Sequence, residues 1–318
     1  MTTTPQTAST VSAPSIAAVP AIPRIVTKPA TIIQRRRNQR VGLIISYIIL
    51  VIAVIFAVYP VYFALLVAVR PNGQLLTNNL IEQFLPVTGI SLNSFTTMIA
   101  NTKDHTFLPW LGNSLFVAAS TAFASVILCT SAAFAMSRIK FTGRNAVLIL
   151  FLAIQSFPAL LALAPITILL TQIGLYKSLV GLILAYSAGS LVFSTWNLKG
   201  YFDTIPVEIE EAALIDGCNT LQSFFQVLLP LSLPAVALTA FFGFLAGWGE
   251  YVLASAIIPA PTSLQTLPVA LHDLSISRSV PWGLFAAGST MVAIPTMLAF
   301  LWMQRNLQSG LTAGGVKG

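Results

Sequence analysis

The chain has 318 residues, of which 56% are hydrophobic and only 8% charged, far from the roughly 25% charged residues of an ordinary soluble domain. That balance excludes a soluble two-domain enzyme. The formal net charge of +7 does not indicate a nucleic-acid surface, because the basic residues cluster at the ends of apolar runs, where they mark membrane topology. Several runs reach the ~20 apolar residues that cross a bilayer as helix, and none shows the strict alternation of a barrel strand, so the chain reads as an all-α polytopic membrane protein.

Residues 1–40 are rich in Thr, Ser, Ala and Pro and close on Arg35, Arg36, Arg37 and Arg40, the composition of a disordered, basic-ended tail. A cleaved signal peptide is not expected, because the charged region starts too late and the apolar run after it is too long. Reading apolar runs against charged and turn residues then predicts six spans, at about 41–69, 111–137, 145–170, 179–201, 231–257 and 283–304, followed by a tail at 305–318. Twelve of the sixteen Lys and Arg residues fall on the side of the termini, the 138–144 link and the 202–230 loop. Lys103, Lys177 and Arg278 fall on the other, with Arg70 at its boundary. The positive-inside rule therefore puts both termini in the cytoplasm. Cys129 then lies in a span and Cys218 in a cytoplasmic loop, so both read as free thiols.

The external loop at 71–110 carries PNGQ, TNN and TKDH, a polar, turn-rich exposed stretch, with Trp110 as an interfacial anchor. A second external loop, about 258–282, opens with PAPTS and is available to an external partner. Pro60, Pro158, Pro165 and Pro295 fall inside predicted spans, where each removes a backbone hydrogen bond and invites a kink. Pro158 and Pro165 in particular are candidates for gating a pathway. Small residues such as Ala118, Ala122 and Ser125 in the second span, and Ser187, Gly189 and Ser190 in the fourth, allow close helix approach. Glu250, in GWGEY, is the one acid well inside a predicted span. It reads either as a substrate or gating group or as a hydrated or paired residue near the external end.

Between the fourth and fifth spans, Thr204 is expected to cap a helix with Pro206 in its first turn and Glu208, Glu210 and Glu211 near its positive end. Asp216-Gly217 stops it, with Gly217 in a left-handed conformation. Asn219 and Gln222 then have the spacing of a capping box opening a second helix. That helix places Leu221, Phe224, Phe225 and Leu228 on one stripe and ends at Pro230. An acidic helix of this kind does not suit a lipid surface, where Lys and Arg are favoured.

Glu211-Ala212-Ala213, three residues, Gly217, nine residues, Val227, one residue, then Leu229-Pro230 resembles the EAA signature of permease subunits of bacterial ABC importers, with valine where isoleucine is usual. GYFDTIPVEIEEA, from Gly200 to Ala212, looks like the carbohydrate-importer branch. The ending GLTAGGVKG, Gly310 to Gly318, is similar to the tail of the smaller permease of maltose/maltodextrin importers. The resemblance covers about 40–318, and Gly249 departs from the asparagine common at that turn. It implies a bacterial inner-membrane permease paired with a second, larger permease, a homodimer of ATPase subunits and an extracytoplasmic sugar-binding protein. By the same analogy Glu211, Ala212, Ala213, Asp216, Gly217, Phe224, Phe225 and Pro230 couple to the ATPase, and Gly314, Gly315 and Lys317 reach it through the tail. The 258–282 loop probes the binding protein. ATP and Mg belong to the partner subunits, and this chain is expected to bind no cofactor or metal, since it has no GxxxxGK loop and no metal-spaced His/Cys cluster. The competing readings are a secondary transporter or channel for a neutral polar solute, for which one intramembrane acid is meagre, and a non-transporting scaffold. Neither accounts for a built two-helix loop.

Overall fold

The computed structural model describes residues 32–100, 107–259 and 263–314. These form an all-helical protein in two units, residues 1–56 and 57–318. In the first unit, helix α1 (Ile32–Val69) begins, and every side chain from Val41 to Phe56 is exposed, as expected of an apolar surface whose solvent is lipid. The tail up to residue 31 lies outside the described residues.

The second unit contains the end of α1, where Leu66, Val67 and Ala68 are buried, and two short helices, α2 (Leu80–Phe84) and α3 (Asn93–Ile99). Four elements follow: α4 (Phe107–Arg138), α5 (Arg144–Gln155), a 3-10 turn (Ala159–Ala162) leading into α6 (Leu163–Gln172), and α7 (Leu179–Phe202). The loop pair is α8 (Val207–Ile215), then α9 (Thr220–Ser223), running through a π segment (Phe224–Leu228) into α10 (Leu229–Leu231). Next come α11 (Leu233–Gly249), α12 (Val252–Ile257), α13 (Leu267–Ser275) and α14 (Trp282–Gly314). Among the described residues, four helices are long and apolar enough to cross a membrane, or up to six if two bent pairs each count as one span.

Both bends correct the predicted spans. The third span turns by 98° between α5 and the 159–172 helix. Pro158, extended at φ −62° and ψ 118°, stands at that break because its ring disfavours helix in the residue before it. Pro165 sits in the first turn of α6, where no intrahelical donor is lost. Pro60 and Pro295 are carried inside α1 and α14, which run on through them. The fifth span is also not one helix: the chain turns by 82° at Ser232 on leaving the loop, and the helix breaks again at Glu250–Tyr251.

α4 is the centre of the bundle, packed along both α7 and α11. Against α11 the approach is limited by backbone: a Cβ on Gly247 would lie 2.7 Å from Ala118 Cα, and one on Gly243 would lie 2.9 Å from Ala122 Cα. Against α7, the hydroxyls of Ser125 and Ser190 lie 2.7 Å apart. Small side chains permit this close contact, which substitutes for the hydrophobic effect between helices in lipid.

Two loop expectations are corrected. Trp110 is not an interfacial anchor but part of a core cluster with Met98, Phe107, Trp248 and Leu267. Within 258–282, residues 260–262 lie outside the described residues, and the following α13 is no exposed loop, since it buries Leu267, Val269, Ala270, Leu271 and Leu274. Asn113 and Ser114 of α4 pin its start: Nδ2 of Asn113 donates to the carbonyls of Ser263 and Gln265 at 2.8 and 3.0 Å, and the Leu267 N–H donates to Ser114 Oγ at 2.7 Å. Arg70, read from sequence as a boundary charge, is 3% exposed. Its guanidinium donates to the carbonyls of Gln74, Leu75, Glu82 and Gln83 at 2.8–3.3 Å, folding residues 74–83 around it.

Candidate functional site

The loop at 203–231 is built from local signals. α8 begins at Pro206 as N-cap with no side-chain cap. Thr204 is not the cap, because its hydroxyl donates to the Tyr201 carbonyl at 2.7 Å and so extends the end of α7. Asp216 closes α8 and Gly217 follows at φ +95°, with the Gly217 and Cys218 N–H groups returning to the Leu214 and Ala213 carbonyls. Asn219 and Gln222 exchange both hydrogen bonds of a capping box, at 2.9 and 2.8 Å. Asn219→Ala is expected to cost about 1 kcal/mol, seen as faster amide exchange over residues 220–223 with the spans unaffected.

The second loop helix does not present one apolar stripe. Phe224 and Leu228 are buried, while Leu221 and Phe225 are 66% and 60% exposed. The π segment separates them: Phe224 tilts onto Phe134 of α4 with ring centroids 4.7 Å apart, in a cluster with Cys129, Ala133, Leu198, Phe202 and Ala235. Pro230 does not end the helix. It lies exposed inside α10, and the break falls two residues later at Ser232.

Glu210, one of the three acids that the sequence places near the helix dipole, is 7% exposed. Glu208 and Glu211, three apart, share the outer face of α8, whereas Glu210 points inward. Its Oε1 lies 2.5 Å from Nε of Arg138, and both side chains are 10% exposed. Arg138 also donates from Nη1 to Ser137 Oγ at 2.9 Å, and from Nη2 to the Phe202 and Ile205 carbonyls at 3.0 Å each. Ser137 in turn donates to Asp203 at 2.6 Å, and Asp203 pairs with Lys199 at 2.5 Å. Burial pushes the Asp203 carboxyl up, but the hydrogen bonds from Lys199 and Ser137 and the charges of Lys199 and Arg144 outweigh it and hold it below its ordinary value. A depressed carboxyl contributes stability above its unfolded pKa and loses it as the pH falls through the folded value. Asp203 therefore stays ionised at neutral pH. Breaking a buried pair such as Arg138–Glu210 by removing one partner costs roughly 3–5 kcal/mol.

A second feature is a cavity of about 850 Å³ between α5, α6, α7 and α11, within the size range of small-molecule sites. Gln155, Tyr186, Ser190 and Ser194 supply neutral polar groups to its wall, and Glu250 is the one charged side chain there. Glu250 occupies the break between α11 and α12, not the interior of a helix. Its carboxylate accepts from the N–H groups of Leu253 and Ala254 at 3.0 and 3.2 Å and from the Tyr186 hydroxyl at 2.6 Å. It thus caps α12, and these bonds offset the cost of an acid in this position. Neither sequence reading of Glu250 included the cap.

Of the residues singled out from sequence, Glu211, Ala212, Asp216 and Gly217 are exposed on the loop and Ala213 is half-buried. Phe224 faces the core, Phe225 faces out, and Pro158 and Pro165 are exposed. Pro158 borders the cavity only through its neighbours Phe157 and Ala159. Gly314 ends α14, and Gly315 and Lys317 lie outside the described residues. Arg138, Arg70 and Tyr186 were missed. The spacing of the acids could have set Glu210 apart, but nothing local pointed to its partner.

The family of binding-protein-dependent transport system inner membrane components matches residues 125–312, more than half of the chain and including the loop pair, the cavity lining and Gly243 and Gly247 of α11. The chain belongs to this family. As such a component it is a multi-pass inner-membrane permease subunit of an ABC transporter, not the ATPase, and membership implies ATPase subunits and a binding protein as partners. The reading as an ion-driven secondary transporter is thereby set aside. The permease is 34% identical over 282 residues, 88% of this chain and 98% of the relative, to the galactooligosaccharides transport system permease protein GanQ of Bacillus subtilis. It is 39% identical to the maltodextrin transport system permease protein MdxG of the same organism, over 67% of this chain and 76% of that one. It is 35% identical to the maltose/maltodextrin transport system permease protein MalG of Yersinia pestis, over 89% and 96%. In fold it resembles a chain from the crystal structure of a bacterial ABC transporter involved in the import of the acidic polysaccharide alginate, with TM-score 0.72 and 21% identity over 85% of this permease and 97% of that chain.

Proposed function

We propose that this permease forms one half of the translocation pathway of an ATP-driven oligosaccharide importer, maltose/maltodextrin being the first candidate substrate, and that the 203–231 loop docks on a cytoplasmic ATPase subunit. The observation that carries the reading is the division of the loop into two faces. Glu210, Phe224 and Leu228 hold it to α4 and α7, while Glu211, Ala212, Ile215 at 86% exposure, Leu221 and Phe225 are left outward. Exposed apolar side chains flanked by acids suit a protein partner with an apolar cleft and a basic rim. The basic 138–144 link at the same end supports a cytoplasmic position for the loop and both termini under the positive-inside rule. ATP and Mg are then held by the ATPase dimer, and a second, larger permease completes the pathway.

The sugar assignment rests on the names of the relatives; the cavity wall is mostly apolar, and its single carboxylate disfavours an anion such as glycerol phosphate. Galactooligosaccharide is the second candidate. The complex reconstituted in proteoliposomes with its binding protein is expected to take up labelled maltotriose only when ATP is supplied on the ATPase side. Uptake that follows a proton or sodium gradient without ATPase subunits overturns the reading; a preference for galactobiose over maltotriose changes the sugar alone.

A further inference from the structure

We propose that Arg138 and Glu210 are positioning residues that make the first loop helix one rigid body with the wall of the cavity, so that a displacement of the loop is delivered to the pathway through α7. The inference rests on the docking reading above and goes beyond it, since docking requires only the outward face of the loop.

Two stretches far apart in sequence, the end of α4 and the α7–α8 junction, meet at one guanidinium. Arg138 is the last residue of α4, Glu210 lies on α8, and the carbonyls of Phe202 and Ile205 belong to the end of α7 and the turn after it. The planar fork of Arg can bind all of these at once, which a lysine point charge cannot. Ser137, Asp203 and Lys199 extend the same chain of hydrogen bonds one helical turn up α7. α8 therefore cannot shift or tilt without taking the ends of α4 and α7 with it. Farther along the same helix, Tyr186, Ser190, Phe193 and Ser194 line the cavity, and Ser125 binds Ser190 across the contact with α4. Coupling needs an element with discrete arrangements that both sites bias. The α4–α7 pair, gripped at one end by the loop and forming the wall at its middle, has that placement. Without the clamp, α8 keeps the short 203–206 turn and its packing on α9 and the π segment but no polar tie to the ends of α4 and α7, and its motion is absorbed in the turn.

The test uses the complete complex in proteoliposomes and reads uptake per ATP hydrolysed. A loss of folded protein lowers both rates together and leaves this ratio unchanged, so the ratio separates transmission from stability. Glu210→Gln keeps the shape and one acceptor but removes the charge. Arg138→Lys keeps the charge but not the fork. In both, the ratio is expected to fall about tenfold while ATPase subunits remain bound, and amide exchange over residues 207–215 is expected to rise at least tenfold. A ratio within twofold of the unsubstituted complex in whichever variant assembles, or unchanged exchange, overturns the inference. Failure of both variants to assemble also overturns it, because the pair would then be a requirement for folding. Ala212→Asp on the outward face tests the underlying reading separately: if ATPase subunits still bind normally to that variant, docking through this face is wrong whatever Glu210 does.

Discussion

Gly247→Val is expected to remove most of the folded permease from the membrane, and Gly247→Ala to leave it assembled but less stable by about 1–3 kcal/mol, the cost of overpacking a close-packed contact. The alanine Cβ would lie 2.7 Å from Ala118 Cα and 3.1 Å from both Ala118 N and the Val117 carbonyl oxygen. All three are backbone atoms, so no side chain can rotate away and α11 must separate from α4. One turn earlier, a Cβ on Gly243 would lie 2.9 Å from Ala122 Cα, so the backbones are close there too and the helices cannot pivot about that point to make room. Replacing glycine inside a helix by alanine gains up to about 1 kcal/mol in propensity, and here the steric term exceeds it. Gly200→Ala is the matched control. Gly200 is also inside a helix, but a Cβ there meets nothing within 4 Å, so a gain of about 0.5–1 kcal/mol is expected. The thermal midpoint in detergent measures both. Equal midpoints for Gly247→Ala and Gly200→Ala would mean that the α4–α11 contact relaxes freely.

The second large effect is expected at Gly217, and it is functional. A Cβ at Gly217 also has nothing within 4 Å, so no clash argues against substitution; the constraint is the backbone at φ +95°. A β-branched residue there costs about 1–3 kcal/mol, and the chain can avoid that cost by opening the turn that holds the Gly217 and Cys218 N–H groups to α8. Gly217→Val is therefore expected to reduce ATP-dependent uptake at least tenfold, by misaligning α8 against α9, while the melting of the transmembrane helices stays where it was. Asparagine tolerates the left-handed region better than other non-glycine residues. Gly217→Asn should retain most of the uptake. If valine and asparagine behave alike, the effect lies in the side chain and not in the backbone.

Much of the fold was legible because hydropathy over 20 residues is a local property. The predicted apolar runs fall on helix, broken at Ser156–Pro158, Ser232 and Glu250–Tyr251, where hydropathy averaged over a span conceals turns. The capping box at Asn219 and Gln222 was legible for the same reason, since both partners lie within one turn of helix. Thr204 was misread because two local uses compete for its hydroxyl, and the Tyr201 carbonyl behind it prevailed over the N–H groups ahead. Glu250 could be flagged as costly but not explained, because its phenol partner is 64 residues away. Arg138 and Glu210 were illegible as a pair: 72 residues separate them, and each had a sufficient local reading, as a topology charge and as a dipole partner. Buried polar links of this kind depend on which helices meet, and that was not written in any one segment.

The π segment at Phe224–Leu228 fixes more than packing. A π turn contains one residue more than an α turn, and each residue of an α-helix is worth about 100° of rotation. The direction in which Leu221 faces relative to everything after Leu228 is thus set by a single residue of chain length, not by the chemistry of the side chains. A one-residue deletion inside 224–228 would keep every apolar residue type nearby and still turn the outward pair to a different compass bearing. Relatives that keep the motif's residue types but have one residue fewer between Gly217 and Leu229 would therefore offer their partners differently oriented faces, with the difference recorded only as a gap in an alignment.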